Sequence, residues 1–131
     1  MPMPGSIVSR TKRSVSLAMA ALLTMAAGDA SQGRAIVMNR QLSACLLCHA
    51  GPFPDPNLQG NLAPSLAGVG SRMTSEELRL RLTTPPPDSI MPSYSTTTGR
   101  RQIGLRWEGK PILTPQQIED VVAFLTTLKT P

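Results

Sequence analysis

The chain is poor in aromatic residues and in the side chains that usually bind metals. It has two phenylalanines, one tyrosine, one tryptophan, one histidine and two cysteines among 131 residues, against thirteen prolines and ten glycines. A structural zinc site needs four ligands, which one histidine and two cysteines cannot provide. A loop-rich domain with so few aromatic residues buries little apolar surface, which favours a fold that packs around a bound group.

The sequence also has no apolar run long enough to span a bilayer. Its longest apolar stretch, residues 15–27, has thirteen residues, whereas a membrane helix needs about twenty. This stretch follows a basic segment and precedes small residues, either Ala26 and Gly28 or Gly28 and Ala30, at the spacing that signal peptidase prefers. An uncleaved anchor and a disordered tail are the alternatives to a cleaved signal peptide.

We therefore predict a cleaved signal peptide over residues 1–30 and a single domain over residues 31–131, exported to the periplasm without stable membrane insertion. The leader holds three of the thirteen basic residues, Arg10, Lys12 and Arg13. The remaining ten face seven or eight acidic residues, so the mature net charge is about +2 to +3 instead of the +5 of the full chain. This weak charge, without stacking aromatics in a basic groove, predicts no nucleic-acid partner.

Three helices are predicted, joined by long loops rich in proline and glycine. The first covers residues 33–44 and runs into the cysteines. The second follows Thr74, which forms a capping box with Glu77, and ends before the prolines of residues 85–87. The third follows Thr114 and carries an apolar stripe on one face. The sequence thus predicts an all-α domain whose long loops have a task such as wrapping a flat prosthetic group.

The stretch Cys45-Leu-Leu-Cys48-His49 contains both cysteines and the only histidine. This is the attachment motif of a c-type haem. Cysteines three residues apart on a helical turn share one face, so each thiol can reach one vinyl group of the same porphyrin, and the histidine after them is directed at the iron. A thioredoxin-like dithiol lacks its strand-helix-strand context here, and a simple disulfide leaves the adjacent histidine unexplained.

The axial ligands of such a haem can be sought among the remaining residues. His49 is the first ligand, and the carbonyl of Pro64 is the candidate acceptor for its other ring nitrogen. Among the three methionines of the mature chain, Met38 and Met73 have core or capping roles. Met91 lies in a loop 42 residues after His49, and we predict that it is the second ligand. His/Met ligation leaves no open position on iron and indicates electron transfer.

The order of these features resembles the class I cytochromes c, and more narrowly the SoxX-type subunits of the sulfur-oxidation SoxAX complex. The resemblance covers nearly the whole mature chain, most tellingly its end. It is carried by the segments "GRAIVMNRQLSACLLCHAG", "LAPSLAGVGSRMTSEELRLRL" and "IMPSYSTTTGRRQIGLRWEGKPILTPQQIEDVVAFLTTLK".

The resemblance implies a class I cytochrome c fold, with three main short helices and long loops around one covalently bound haem c. It implies thioether attachment through Cys45 and Cys48 and axial ligation by His49 and Met91. It further implies a periplasmic heterodimer with a SoxA-like cytochrome subunit, a transient SoxYZ-like carrier protein and a periplasmic electron acceptor.

In this family the complex is an L-cysteine S-thiosulfotransferase that joins thiosulfate oxidatively to a carrier cysteine, and the catalytic cysteine belongs to SoxA. No catalytic residue is therefore expected in the present chain, whose role is that of a non-catalytic electron-transfer subunit. A free-standing, diffusible cytochrome c that serves a terminal oxidase is the alternative.

Some residues near the site depart from the family pattern or have no assigned role. The family usually has Gly-Pro where this chain has Ala63 before Pro64. Tyr94 is suited either to the haem edge or to filling the core. A basic patch with an indole could pair with haem propionates, dock a partner or simply be solvated; it consists of Arg100, Arg101, Arg106 and Trp107.

Overall fold

The computed structural model describes residue 2, residues 26–97 and residues 104–130. Most of the predicted signal peptide, together with Arg100 and Arg101, lies outside these residues. The described residues form helices and loops without a β-strand, which confirms the all-α fold. The helices are α1 (Ala30–Met38), α2 (Cys45–Cys48), α3 (Val69–Arg72), α4 (Ser75–Thr83) and α5 (Pro115–Thr127), with short 3₁₀ turns at Pro56–Leu58 and Leu105–Trp107.

Helix α1 begins at a side-chain cap and ends earlier than the sequence pattern predicts. The carboxylate of Asp29 accepts hydrogen bonds from the backbone N–H groups of Ser31 and Gln32. The helix ends at Met38 because the side chain of Asn39 accepts hydrogen bonds from the N–H groups of residues 41 and 42, which forms a turn. The prediction of one helix over residues 33–44 is therefore wrong, and a separate short helix carries the cysteines.

Helices α4 and α5 begin at the predicted capping boxes. Thr74 accepts from the backbone N–H of Glu77 while the Glu77 carboxylate accepts from the Thr74 N–H. Thr114 and Gln117 make the same reciprocal pair at the start of α5. Each box satisfies two N–H groups that a helix start otherwise leaves without partners.

The core is organised around α5, which packs most extensively against α1 and also contacts α3 and α4. Gly33 of α1 makes this contact close: a Cβ placed on it would lie 1.9 Å from the backbone oxygen of Asp120. The buried apolar side chains form one cluster that includes Val37, Leu113 and Val121. The main core contact thus joins α1 and α5, two segments that are distant in sequence. None of the helices in the described residues has the length and apolar character needed to cross a membrane.

Candidate haem site

The two cysteines lie on one helical turn that the fold holds in place. Helix α2 is preceded by Ala44 in the left-handed conformation, at φ 57°, which costs a non-glycine residue about 1–2 kcal/mol. Leu46 of this turn is buried in the core. Cys45 and Cys48 are half-buried, and their thiols are free, not joined in a disulfide. The two thiols therefore lie one turn apart on the same short helix.

His49 follows this turn and is held by a backbone acceptor. Its Nδ1 lies 2.6 Å from the carbonyl oxygen of Pro64, and a carbonyl can only accept, so Nδ1 carries the proton and donates. In neutral imidazole the other nitrogen, Nε2, then has a free lone pair. Nε2 has no hydrogen-bond partner in the described part of the chain. This is the arrangement that a metal-binding histidine needs.

The loop that carries Pro64 is attached to the cysteine segment by its backbone. A Cβ on Gly60 would lie 2.1 Å from the oxygen of Leu47, so only glycine allows the loop to approach so closely. Ala63, where the family usually has glycine, still donates its N–H to the carbonyl of Cys48 in the attachment motif. Three backbone bonds join loop and motif: Gly60 to Leu46 at 2.9 Å, Ala63 to Cys48 at 2.9 Å and Leu66 to Ala50 at 2.7 Å.

Met91 lies in a loop, and the residues that follow it are hydrogen-bonded to the end of α4. Its side chain is half-buried and packs against the core cluster. The hydroxyl of Ser93 donates to the carbonyl of Thr83 at 2.6 Å, and the Tyr94 N–H donates to the carbonyl of Leu82 at 2.8 Å. These bonds fix the exit of the Met91 loop, while its role as an iron ligand stays a prediction.

Tyr94 connects the Met91 loop to the cysteine turn. Its hydroxyl donates to the carbonyl of Ser43 at 2.8 Å and lies 3.9 Å from the sulfur of Cys45. Burial is the main cause that raises the pKa of the Cys45 thiol, and burial, followed by the neighbouring Cys45, raises the pKa of Tyr94. The Cys45 thiol therefore stays protonated at neutral pH, which makes it a weak nucleophile.

Ser43 is a positioning residue that the sequence analysis missed. It is buried, and its hydroxyl donates to the carbonyl of Ile36 at 2.7 Å, so it connects the end of α1 with the start of α2. The only signal in the sequence is a small polar residue directly before the motif. Such residues are common in exposed turns, and nothing in the sequence indicates that this one is buried.

Three further features bear on function: clusters that could bind a metal ion, the basic patch and a cavity. In the described ranges no group of three or more His, Cys, Asp or Glu residues could bind a metal ion. Of the predicted basic patch, Arg106 lies over the ring of Trp107 at 4.8 Å from its centroid, a cation–π pair. One cavity of about 420 Å³ contains none of the predicted site residues and is lined by Gly70, Ser71, Arg72, Met73, Thr74, Ser75, Thr126 and Lys129.

Comparison with known proteins agrees with this geometry. The family model for cytochrome c matches residues 30–129. A crystal structure of SoxXA from P. pantotrophus is similar to this chain, with 38% sequence identity and a TM-score of 0.70. The alignment covers 82% of this chain and 87% of that one. No match was found among curated protein sequences.

The chain therefore belongs to the cytochrome c family, and its all-helical structure has the class I fold. Within that family it is a SoxX-type cytochrome, which the likeness to the SoxXA structure supports. Membership implies a covalently bound haem c, and Cys45 and Cys48 fit the attachment motif. The free thiols and the unpartnered Nε2 of His49 fit such a group. The family and the structural likeness together support a SoxX-like haem electron-transfer subunit.

Proposed function

We propose that the mature chain carries one haem c and serves as the electron-transfer subunit of a periplasmic, thiosulfate-oxidising complex of the SoxAX type. Cys45 and Cys48 would hold the porphyrin through two thioether bonds. His49 and Met91 would bind its iron.

One observation carries this proposal: the hydrogen bond from His49 Nδ1 to the Pro64 carbonyl, at 2.6 Å, beside two free thiols. A dithiol or disulfide protein has no use for an imidazole whose tautomer is fixed. A haem protein needs it, since the bond fixes the tautomer and orients the ring. The carbonyl comes from a loop joined to the motif by three backbone bonds, so it cannot move away independently.

The bound haem supplies one-electron oxidation and reduction. The chain's own residues determine that the site transfers electrons and does not bind small molecules. With both His49 and Met91 bound to the iron, no coordination position would be left for oxygen or peroxide. The thioether of Met91 is a neutral ligand that raises the reduction potential relative to bis-histidine ligation. The chain therefore has no catalytic residue of its own.

The electrons come from a reaction on the partner's side. The thiol of a carrier cysteine and the terminal sulfur of thiosulfate form one S–S bond. The product is the S-thiosulfonated cysteine, and one proton and two electrons are released. The present chain receives these electrons one at a time and passes them to a periplasmic acceptor. The partner is a SoxA-like cytochrome, which supplies the cysteine chemistry that this chain lacks.

Exposed apolar side chains next to residues of the candidate site or of its loop support a dedicated partner. Leu47, between the two cysteines, is 52% exposed, and Ile90, next to Met91, is 62% exposed. Leu62 is exposed beside the Ala63 N–H that bonds to Cys48. A subunit of a stable complex buries such apolar surface against its partner, whereas a diffusible carrier presents a charged rim.

The test is to purify the chain under native conditions from cells that are oxidising thiosulfate. Co-elution with a second haem protein supports the subunit, while a lone haem-containing monomer overturns it in favour of a diffusible cytochrome. Denaturing electrophoresis of the same sample should show haem still attached to the polypeptide. Loss of all haem on denaturation would overturn the covalent attachment itself.

A further inference from the structure

Asp120 is a buried carboxylate that has no cationic partner among the described residues. It lies on α5, faces α1 and is 8% exposed. Its Oδ1 accepts a hydrogen bond from the backbone N–H of Asp29 at 2.8 Å and another from the side-chain amide of Gln116 at 3.1 Å. The one ion pair in the described ranges joins Arg79 and Glu119, not this carboxylate. A buried carboxylate that has only neutral hydrogen-bond donors is energetically unfavourable, because burial disfavours a charged group.

The nitrogen that faces Asp120 belongs to the residue at which an exported chain can begin. Asp29 directly follows Ala26 and Gly28, which occupy the third and first positions before a cut at the Gly28–Asp29 bond. Asp29 is also the cap of α1, so a chain that starts there keeps the whole helix and its cap. A cut after Ala30, the other spacing in the sequence, removes the cap and takes the Asp29 nitrogen away from Asp120.

We propose that export processing cuts the chain between Gly28 and Asp29, two residues before the boundary predicted from the sequence, and that the new α-amino group at Asp29 forms an ion pair with Asp120. Hydrolysis of the peptide bond gives a Gly28 carboxylate on the leader and an ammonium on Asp29. This ammonium stands where the peptide N–H stood, 2.8 Å from Asp120 Oδ1. A charged donor replaces a neutral one, and such bonds are roughly twice as strong. The proposal rests on the proposed export of the chain.

The carboxylate of Asp29 offsets the unfavourable effect of an ammonium at the start of α1. An ammonium at a helix N-terminus is unfavourable because the helix dipole is positive there. Here the carboxylate of Asp29 itself accepts from the N–H groups of Ser31 and Gln32 at 2.8 and 3.1 Å, and places a negative charge at that end. The ammonium thus lies between two carboxylates, those of Asp29 and Asp120.

The packing of Gly28 sets the order of events. A Cβ on Gly28 would lie 2.1 Å from the backbone oxygen of Glu119, so in the folded chain this residue lies against α5. A protease needs the bond extended in its active site, so the cut precedes the docking of α1 on α5. Only a processed chain then gains the ion pair, which couples export to the stability of the folded cytochrome.

The first experiment determines the N-terminus of the haem-loaded protein isolated from the periplasm, by intact mass and by sequential degradation. The expected first residue is Asp29. A haem-loaded chain that starts at Ser31, or at any residue before Asp29, overturns the inference and leaves the proposed function standing. A chain that keeps Met1 and lacks haem overturns both.

The second experiment measures the ion pair itself. Two exported, haem-loaded forms are made with exchanged signal peptides, one starting at Asp29 and the other at Ala26. We expect the unfolding equilibrium constant of the Asp29 form to be about tenfold smaller, and Asp120→Asn to abolish most of that difference. Asp88→Asn, on an exposed carboxylate, is the matched control and should leave the difference intact. Equal stability of the two forms would overturn the proposal.

Discussion

The hydroxyl of Tyr94 donates to the carbonyl of Ser43 at 2.8 Å, across 51 positions of the chain. This bond joins the loop that carries Met91 to the turn that carries Cys45 and Cys48. Tyr94 is only 5% exposed, so water does not compete for either group. The relative position of the predicted axial methionine and the attachment motif depends on this contact.

Replacing Tyr94 with phenylalanine keeps the ring and removes the bond. Because the Ser43 carbonyl then loses its partner in a buried place, we expect Tyr94→Phe to lower the free energy of unfolding by about 1–3 kcal/mol. Denaturant unfolding followed by haem absorbance measures the change. The exposed Thr96→Val serves as a control, and an unchanged stability of Tyr94→Phe would show that the bond is unimportant.

Met91→His should lower the reduction potential of the haem while leaving it attached. Imidazole in place of a thioether stabilises the ferric form, and axial ligands as a whole set haem potentials over a range of about 0.8 V. We expect a fall on the order of 100 mV or more in a spectroelectrochemical titration. Met38→Leu and Met73→Leu are the controls, and a potential that moves with either of them instead would identify a different ligand.

Gly33→Ala should destabilise the protein although alanine is the better helix former. The helix propensity favours alanine by about 1 kcal/mol, but the added Cβ would lie 1.9 Å from the Asp120 oxygen and 2.8 Å from the Cβ of Phe124. Helices α1 and α5 must separate, so we expect a net loss of about 1–3 kcal/mol in unfolding free energy. For Gly104→Ala, where no described atom lies within 4 Å of the new Cβ, the change should be small.

The ion pair between Arg79 and Glu119 should make a small, pH-dependent contribution to stability. The guanidinium contacts both carboxylate oxygens, at 2.6 and 2.8 Å, and this hydrogen bonding lowers the pKa of Glu119. A lowered folded-state pKa gives stability that is present above the unfolded value and is lost as the pH falls through the folded value.

Because the Arg79 side chain is 39% exposed and screened by solvent, Glu119→Gln should cost only about 0.2–1 kcal/mol at neutral pH. Unfolding free energies of both forms, measured from neutral pH down to below the folded-state pKa, should converge at the acidic end. A difference that persists undiminished there would show that the loss comes from packing and not from charge.

The sequence predicts the parts of this fold that local chemistry decides. The capping boxes at Thr74 and Thr114 appear where predicted, because reciprocal hydrogen bonds within four residues need no tertiary information. The spacing of Cys45, Cys48 and His49 indicates haem attachment in the same way, because the three residues lie within five positions of the chain. The sequence makes the carbonyl of Pro64 a candidate acceptor for His49, and the structure brings the two together at hydrogen-bond distance.

Features that depend on competing local signals, or on contacts distant in sequence, could not be predicted. The end of α1 at Met38 results from an asparagine turn that competes with a continuing apolar pattern. The short helix α3 falls in a segment predicted as loop, where its four residues are too few to show a period. The hydrogen bond between Tyr94 and the Ser43 carbonyl joins residues 51 positions apart, and neither residue type has a signal that distinguishes it from surface polar groups.

The close fit of Gly33 against α5 determines when this protein can fold. The two helices that meet there are the first and the last of the described chain, separated by more than seventy residues. During synthesis the N-terminal helix therefore emerges long before its partner exists. In the exported chain that we propose, α1 and α5 would meet only after the C-terminus has crossed the membrane, and until then the cysteine segment would stay open for haem attachment.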